Sequence, residues 1–372
     1  MSYSAVPRGT IDLSRAIAPA PPKLETALVE AMGMLAASGS LARSMRRNRF
    51  AGTEADQEAA ALWLALRLGQ APERGRIILA NGTQSLLGLL FYQLVGAGEI
   101  LLAEALTYPV LRPLAQRFGV ILQPVAIDEE GLLPEALEAA CERHRPKALF
   151  CNPTLHNPTT AIMGSERRQA VIELARRFDL LVIEDDVLGP LHAAAPLALA
   201  ALGPDVVWYI QSLSKCVSLG LKVAYMVAPS ANAAETLVQS AASHSFWFPS
   251  ALSADIATRL IVEKAIEDIA AAIAGRALHC QDIARRILRD VPFYSQSGAL
   301  HIWLPVPSPR SAVDFVATAA EQGLLIRPAD MFAIDGSDGP PKPAAVRVAL
   351  TTPETDEHLE LGLERLKSLL RS

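Results

Sequence analysis

The sequence predicts an α/β protein: a three-layer sandwich around a mostly parallel seven-stranded sheet, followed by a smaller α+β domain. Three observations point there. Short apolar segments alternate with helical segments between residues 76 and 228, the pattern of repeated strand–helix units. Most of these segments are continuously apolar rather than alternating, as strands are when helices cover both faces of a sheet. Beyond Ala228 the pattern becomes helical and then mixed, which sets off a second unit. The expected division is residues 1–45 as an N-terminal arm and helix belonging to the small domain, 46–274 as the large domain and 275–372 as the C-terminal small domain.

Taken in order, residues 1–22 form a Pro-rich arm ending in Ala18-Pro19-Ala20-Pro21-Pro22, either laid across a partner subunit or frayed. A helix is predicted over 23–37. Thr53 and Asp56 make a capping box that opens a second helix through Leu68, where Gly69 closes it. Strands follow at 77–80, 100–103, 121–125, 148–151, 180–184, 206–210 and 223–228. Helices at 108–118, 134–144 and 165–178 lie between them, and the run 86–91, apolar all round, reads as a buried helix. The link between the last two strands is too short for a crossover helix, so that pair is antiparallel. A helical region over 249–290 breaks at Gly275. Strands at 300–304, 324–327 and 346–350, with helices at 311–322 and 354–370, complete the smaller unit.

Composition narrows the function. The chain has 372 residues, 51% of them hydrophobic, which suits a two-part enzyme subunit with a large aliphatic core. Net charge is −5 with no basic block, so nucleic acid is not an expected partner. The start has neither a basic head nor an apolar run, so no signal peptide is expected, and the longest apolar runs are too short to span a bilayer. Cys141, Cys151, Cys216 and Cys280 are scattered, without metal-like spacing, and read as free thiols of a reducing cytoplasm.

Chemistry-bearing residues fall at the strand ends, where α/β folds place their ligands. Lys215 follows the 206–210 strand, in Gln211-Ser212-Leu213-Ser214-Lys215. It is either an ordinary surface lysine or an amine held for Schiff-base chemistry with a carbonyl. Asp185 and Asp186 end another strand, where a carboxylate is costly unless paired or functional. A metal is an alternative for that pair, but no His or third carboxylate stands at ligand spacing. Asn81-Gly82-Thr83-Gln84 is a phosphate cradle at a helix N-terminus or a plain tight turn. The two Asn-Pro steps of Asn152-Pro153 and Asn157-Pro158 force an extended loop that would hold the Asn157 amide toward a ligand. Tyr108 offers an aromatic face on the same rim or packs on the core. These residue types in this order suit pyridoxal phosphate, which needs an amine for its aldehyde, a carboxylate for its ring nitrogen, a donor for its ring oxygen, and amides, hydroxyls and a cation for its phosphate.

With those motifs the chain resembles the fold-type I pyridoxal-phosphate aminotransferases of class I/II, and more narrowly the aminotransferase-like domain of MocR-type regulators, over about residues 10–370. The winged-helix DNA-binding domain of those regulators is expected to be missing here. The resemblance implies that Lys215 is the Schiff-base lysine and that Asp185 pairs with the ring nitrogen. It implies that Asn157 donates to the ring oxygen, that Tyr108 stacks on the ring, and that Gly82, Thr83, Gln84, Ser212, Ser214 and Lys222 surround the phosphate. Arg347, in Val346-Arg347-Val348, matches the family's substrate-carboxylate arginine, with Asn157 beside it; a lone strand arginine could otherwise be a surface ion pair. Five positions depart from the family pattern. Val187 and Leu188 stand where a tyrosine is usual, Lys222 replaces an arginine, Phe50 replaces a tyrosine that reaches the neighbouring subunit, and Thr160 replaces the glycine of Asn-Pro-Thr-Gly.

The implied function is a cytoplasmic, homodimeric aminotransferase moving an amino group between an amino acid and a 2-oxo acid, with no metal, nucleic-acid or membrane partner. Two other readings use the same cofactor: a ligand-sensing module with little turnover, and a lyase or decarboxylase of the same fold. Expected pocket loops are 18–22, 186–192, 243–248 and 327–332, whose apolar character favours a neutral or aromatic substrate, with His192 and His244 as polar contacts.

Overall fold

The computed structural model describes residues 9–335 and 339–371; the first eight residues of the Pro-rich arm lie outside the described residues. A short strand β1 (Ile11–Asp12) leads to α1 (Pro22–Ala37) and α2 (Glu54–Leu68). Thr53 and Asp56 cap α2 reciprocally, and Gly69 ends it at φ 73°, in the left-handed region that glycine tolerates. The alternating part then runs β2 (Ile77–Ala80), α3 (Thr83–Leu90), β3 (Ile100–Glu104), α4 (Leu111–Phe118), β4 (Ile121–Val125), α5 (Pro134–His144), β5 (Ala148–Cys151), α6 (Ser165–Arg177), β6 (Leu181–Asp185), β7 (Val207–Ser212) and β8 (Ala224–Val227). α7 (Ala231–Ser240), α8 (Ala251–Val262) and α9 (Ala265–Ile287) follow. β9 (His301–Pro305), α10 (Ala312–Glu321), β10 (Leu324–Leu325), β11 (Arg327–Pro328), β12 (Ala345–Ala349) and α11 (Asp356–Arg371) close the described chain.

The seven strands of the large sheet lie in the order β2-β8-β7-β6-β5-β3-β4. Only β8 runs against its neighbours, as the short link from β7 requires. Successive residues of β2 enter opposite cores. Ile77 and Leu79 join the cluster containing Trp63 and Leu64 of α2 and Val171 of α6, whereas Ile78 and Ala80 join the one containing Leu86 to Phe91 and Leu111. A sheet buried on both faces needs no polar alternation, which is why its strands read as continuous apolar runs. The small sheet, in the order β9-β12-β11, is antiparallel. Its core draws Cys280, Ile283 and Ile287 from α9, Phe315 from α10, and Leu359, Leu363 and Leu366 from α11.

Several expected elements move, and each shift has a physical cause. The arm is neither frayed nor free where it is described. β1 pairs in parallel with β10, Ala349 N–H donates to Leu13 O at 2.7 Å, and Thr351 Oγ donates to Ile17 O at 2.6 Å. That docking carries Ser14, Arg15 and Ala16 to the mouth of the cavity described below. The break in the long helical region falls at Lys264, at φ 58°, and not at Gly275. Gly275 is helical inside α9, where Ile273 and Ala277 on either side are buried, so tertiary packing overrides its weak propensity. The expected 180–184 strand ends one residue later and makes Asp185 its last member. The expected 108–118 helix starts only at Leu111, which leaves Tyr108 in the loop above it, and the 324–327 strand is split into β10 and β11.

Candidate active site

Parallel strands deliver their C-terminal ends to one rim, and a cavity of about 500 Å³ opens there against β9, β11 and β12 of the small sheet. The residues expected to hold the cofactor and the substrate carboxylate line it: Gly82, Thr83 and Gln84 from the β2–α3 turn, Tyr108 after β3, Asn157 after β5, and Asp185 at the end of β6. Ser212, Ser214, Lys215 and Lys222 come from the β7–β8 link, and Arg347 from β12.

Lys215 sits in the turn after β7, and its Nζ donates to Ala16 O. Burial lowers its pKa to about 8, reinforced by the Arg347 and Arg15 cations and opposed by Asp185. Roughly a tenth of the amine is then neutral near pH 7, far more than for an ordinary lysine, as a nucleophilic amine requires. Asp185 is shifted in the opposite sense. Burial at the strand end raises its pKa to about 7, and the adjacent Asp186 carboxylate adds to this. Its Oδ1 is buried with no hydrogen-bond partner among the described residues. Asp186 points into a different environment, where Arg67 Nε donates to it at 2.8 Å and Tyr209 OH at 2.9 Å. The two neighbouring carboxylates thus differ: one is a satisfied structural ion pair, and the other, beside the cavity, has a backbone N–H of Val187 but keeps one buried oxygen without a partner.

A chain of hydrogen bonds spans the floor. Arg347 Nη1 donates to Asn157 Oδ1 at 2.7 Å, Asn157 N–H donates to Asn152 Oδ1 at 2.8 Å, and Asn152 Nδ2 donates to Asp185 O. Asn152 is itself fixed through its N–H to the buried Glu104 carboxylate. Arg347 is 7% exposed, its guanidinium stacks over Phe332 at 4.9 Å, and no carboxylate pairs with it among the described residues. Burial, with the Arg327 cation, lowers its pKa to about 9. A buried guanidinium bonded only to neutral oxygens is a strong site for an anion, and a carboxylate matches its forked donors.

At the other end, Gly82 precedes α3 at φ 87°, a conformation that glycine adopts without strain. The first amides of α3 lack intrahelical partners and face the cavity side of the turn. Ser212 Oγ and Ser214 Oγ are 2.7 Å apart, and Gln84 Nε2 donates to Tyr108 OH at 3.0 Å. Lys222, exposed and at φ 53°, supplies a cation there without the fork of an arginine. These residues could hold a group with an aldehyde, a basic ring nitrogen and a phosphate. The partnerless Asp185 oxygen gives that fit its direct support.

The departures are visible in place. Val187 and Leu188 line the wall without a hydroxyl. Thr160 adopts φ 66°, the left-handed conformation that explains a glycine at this position. Phe50 is absent from the lining; it stacks on Trp247 and Phe248 and stays 38% exposed. Neither His192, bonded to Ser297 O, nor His244, set against Tyr92 and Phe246, lines the cavity. The lining instead contains Ser14, Arg15, Asn152 and His301, which the sequence reading left unassigned, together with Arg327 from the expected 327–332 loop. Asn152 had a signal in the first Asn-Pro step; Arg15 and His301 had none, because only tertiary docking brings them to the rim. Arg15 adds a cation to the wall that the expected pocket loops did not contain.

Comparison with known proteins agrees with this geometry. The family model described as aminotransferase class I and II matches residues 28–366. An uncharacterized HTH-type transcriptional regulator of Bacillus subtilis, YdeF, is 30% identical over 86% of this chain and 68% of its own length. The 2-aminoadipate transaminase of Thermus thermophilus is 28% identical over 72% of this chain and 69% of its own. In structure, a kynurenine aminotransferase from Pyrococcus horikoshii superposes with a TM-score of 0.87 over all of this chain and 95% of that one, at 20% identity, which is a likeness of fold.

Asp185 makes a testable contribution to the stability of the cofactor-free chain. Because its folded pKa lies near 7, above the usual carboxyl range, folding favours its protonated form. Its contribution is complete below about pH 4 and is lost as pH rises through 7. Asp185→Asn, neutral throughout, should therefore gain on the wild type by on the order of 2–4 kcal/mol between pH 4 and pH 8. Urea unfolding of both apo proteins across that range measures it; a stability difference independent of pH would show that Asp185 ionises normally.

Proposed function

The chain belongs to the class I and II aminotransferase family, and we propose that Lys215, Asp185 and Arg347 carry its reaction. It is a pyridoxal 5'-phosphate-dependent aminotransferase acting on an amino acid and a 2-oxo acid. The observation that carries the assignment of residues is the convergence, in one cavity, of an amine with a lowered pKa, a buried carboxyl with one unsatisfied oxygen and a buried guanidinium with no carboxylate partner among the described residues. Family membership favours transamination over the sensing and lyase readings.

The cofactor, when bound, supplies an aldehyde that condenses with amines and a ring that takes up electron density from the substrate. Asp185, at the end of β6, holds a proton against the ring nitrogen. Ser212, Ser214, Lys222 and the amides that follow Gly82 bind the phosphate. Asn157 reaches the ring oxygen with its amide nitrogen while its Oδ1 accepts from Arg347, which ties cofactor and substrate positions to one side chain. Arg347 binds the substrate α-carboxylate and orients the Cα–H bond for proton removal. Lys215 Nζ first anchors the cofactor. When free, Nζ would take the substrate Cα proton and deliver it to the carbon on the far side of the substrate nitrogen, a role that its lowered pKa favours.

We further propose a cytoplasmic homodimer. The four free, buried cysteines support a reducing compartment, and no helix of the described residues is long and apolar enough to cross a membrane. Met32, Met45 and Phe50 remain exposed on the single chain, as residues of a subunit interface would. A native mass near twice 39.8 kDa is the expected result by light scattering, and a monomer at micromolar concentration would refute it.

For Lys215, the expected outcome is specific. Lys215→Ala should stay folded and lose the imine absorbance, and borohydride should no longer fix cofactor to the chain. Retention of a borohydride-trapped cofactor on another residue, with Lys222 as the neighbouring amine, would reject the assignment.

A further inference from the structure

His301 is the first residue of β9 and faces the cavity, yet the reaction as described does not use it. It is 1% exposed, and its Nε2 lies 3.0 Å from Pro158 O. A carbonyl oxygen can only accept, so Nε2 carries a proton. Burial and the nearby Arg347 cation, with His156 and Lys215 adding, hold the imidazole pKa well below its ordinary value, so the ring is neutral. Nδ1 is therefore a bare acceptor, and it is buried with no partner among the described residues.

A complementary vacancy lies beside it. In the β9–β12 ladder His301 faces Ala349 and Trp303 faces Arg347. Residues two apart on a strand, and residues directly opposite across strands, share a face. His301 and Arg347 are thus diagonal neighbours on one face, within reach of long side chains. Arg347 Nη1 donates to Asn157 Oδ1 and Nη2 to Ser14 O at 2.8 Å, but its Nε–H is buried without a partner. One unsatisfied donor and one unsatisfied acceptor, both buried and on diagonally neighbouring residues, are an uncommon pairing, because native structures satisfy nearly all such groups.

We infer that His301 is the positioning residue for Arg347: its Nδ1 accepts from Arg347 Nε–H when a substrate carboxylate takes up the remaining donors of the guanidinium. A carboxylate is bound best by two parallel N–H groups, whereas the Nη donors now point to two separate neutral oxygens. Engaging a carboxylate re-aims the guanidinium, and the Nδ1 acceptor fixes its new orientation. Through Nε2 and Pro158 O the same ring holds the loop that carries Asn157, so one histidine braces both sides of the carboxylate site. Only a neutral imidazole with this tautomer does both, donating at one nitrogen and accepting at the other.

The proposal rests on Arg347 as the carboxylate site, and the test separates the two. Holoenzyme is titrated with L-leucine and 3-methylbutan-1-amine, and with L-phenylalanine and 2-phenylethylamine. Each pair differs only in the carboxylate, and the change in cofactor absorbance gives the dissociation constants. In His301→Phe the preference for the amino acid over its amine should fall about tenfold or more, with amine binding unchanged within about twofold. His301→Gln, whose amide both donates and accepts, should restore most of it. Should His301→Phe fail to fold, His301→Asn, too short to serve both partners, should show the same loss. A histidine that merely supports the fold would weaken amine and amino acid together, and that result, or an unchanged preference, overturns the proposal. Arg347→Met is run alongside. If it retains the full preference, the carboxylate site is elsewhere and both readings fall; if it loses the preference while His301→Phe keeps it, only the pairing with His301 is wrong.

Discussion

The site depends on one costly feature, a carboxyl group buried at the end of a central strand, paired with no cation and with one oxygen unsatisfied among the described residues. Asp185 is 5% exposed, and its Oδ1 makes no hydrogen bond among the described residues. An unpaired buried carboxylate is expensive, and the fold meets that expense by raising the group's pKa until it is half protonated near pH 7. The neighbouring Asp186 shows what a purely structural acid looks like at the same depth, with Arg67 and Tyr209 both donating to it. Of these two consecutive aspartates at a strand end, one is fully engaged in holding the fold and the other keeps an oxygen free at the cavity.

From Asp185 the rest of the rim follows by contact. Its backbone oxygen accepts from Asn152, Asn152 holds Asn157, and Asn157 accepts from Arg347 on the small sheet. The cofactor end and the substrate end of the cavity are therefore parts of one hydrogen-bonded strip. The N-terminal segment completes it. Ser14 O accepts from both Arg327 and Arg347, and Ala16 O accepts from Lys215, so docking β1 onto β10 helps to set the positions of three cations. Burial first, and the mutual repulsion of nearby cations second, lower the pKa values of Lys215 and Arg347. Anionic ligands relieve that repulsion, and so the cavity is electrostatically prepared for them.

Much of this was legible in the sequence because the large sheet is buried on both faces. Continuous apolar runs located its strands to within a residue or two, and polar residues just beyond the runs marked the rim. Lys215, Asp185 and Asn157 were readable for that reason. The capping box at Thr53 was readable because its spacing is fixed by local geometry. What escaped was non-local. Nothing in Ser14-Arg15-Ala16 signals that the segment crosses the cavity mouth, because its placement follows from pairing with β10 more than 300 residues on. His301 looks like any histidine on a strand until the register with β12 sets it diagonal to Arg347. Gly275 misled because glycine is a weak helix former, while the break at Lys264 depends on packing that the sequence does not display.

The central claim is that Asp185 exists to keep the cofactor ring nitrogen protonated. Nitrogen-15 NMR of holoenzyme reconstituted with ring-labelled pyridoxal 5'-phosphate measures that proton directly. The account predicts a protonated ring nitrogen in the wild type from pH 6 to pH 9, and a deprotonated one in Asp185→Asn at the upper end of that range. A nitrogen that is unprotonated in the wild type at neutral pH, or one that stays protonated in both proteins throughout, would contradict it.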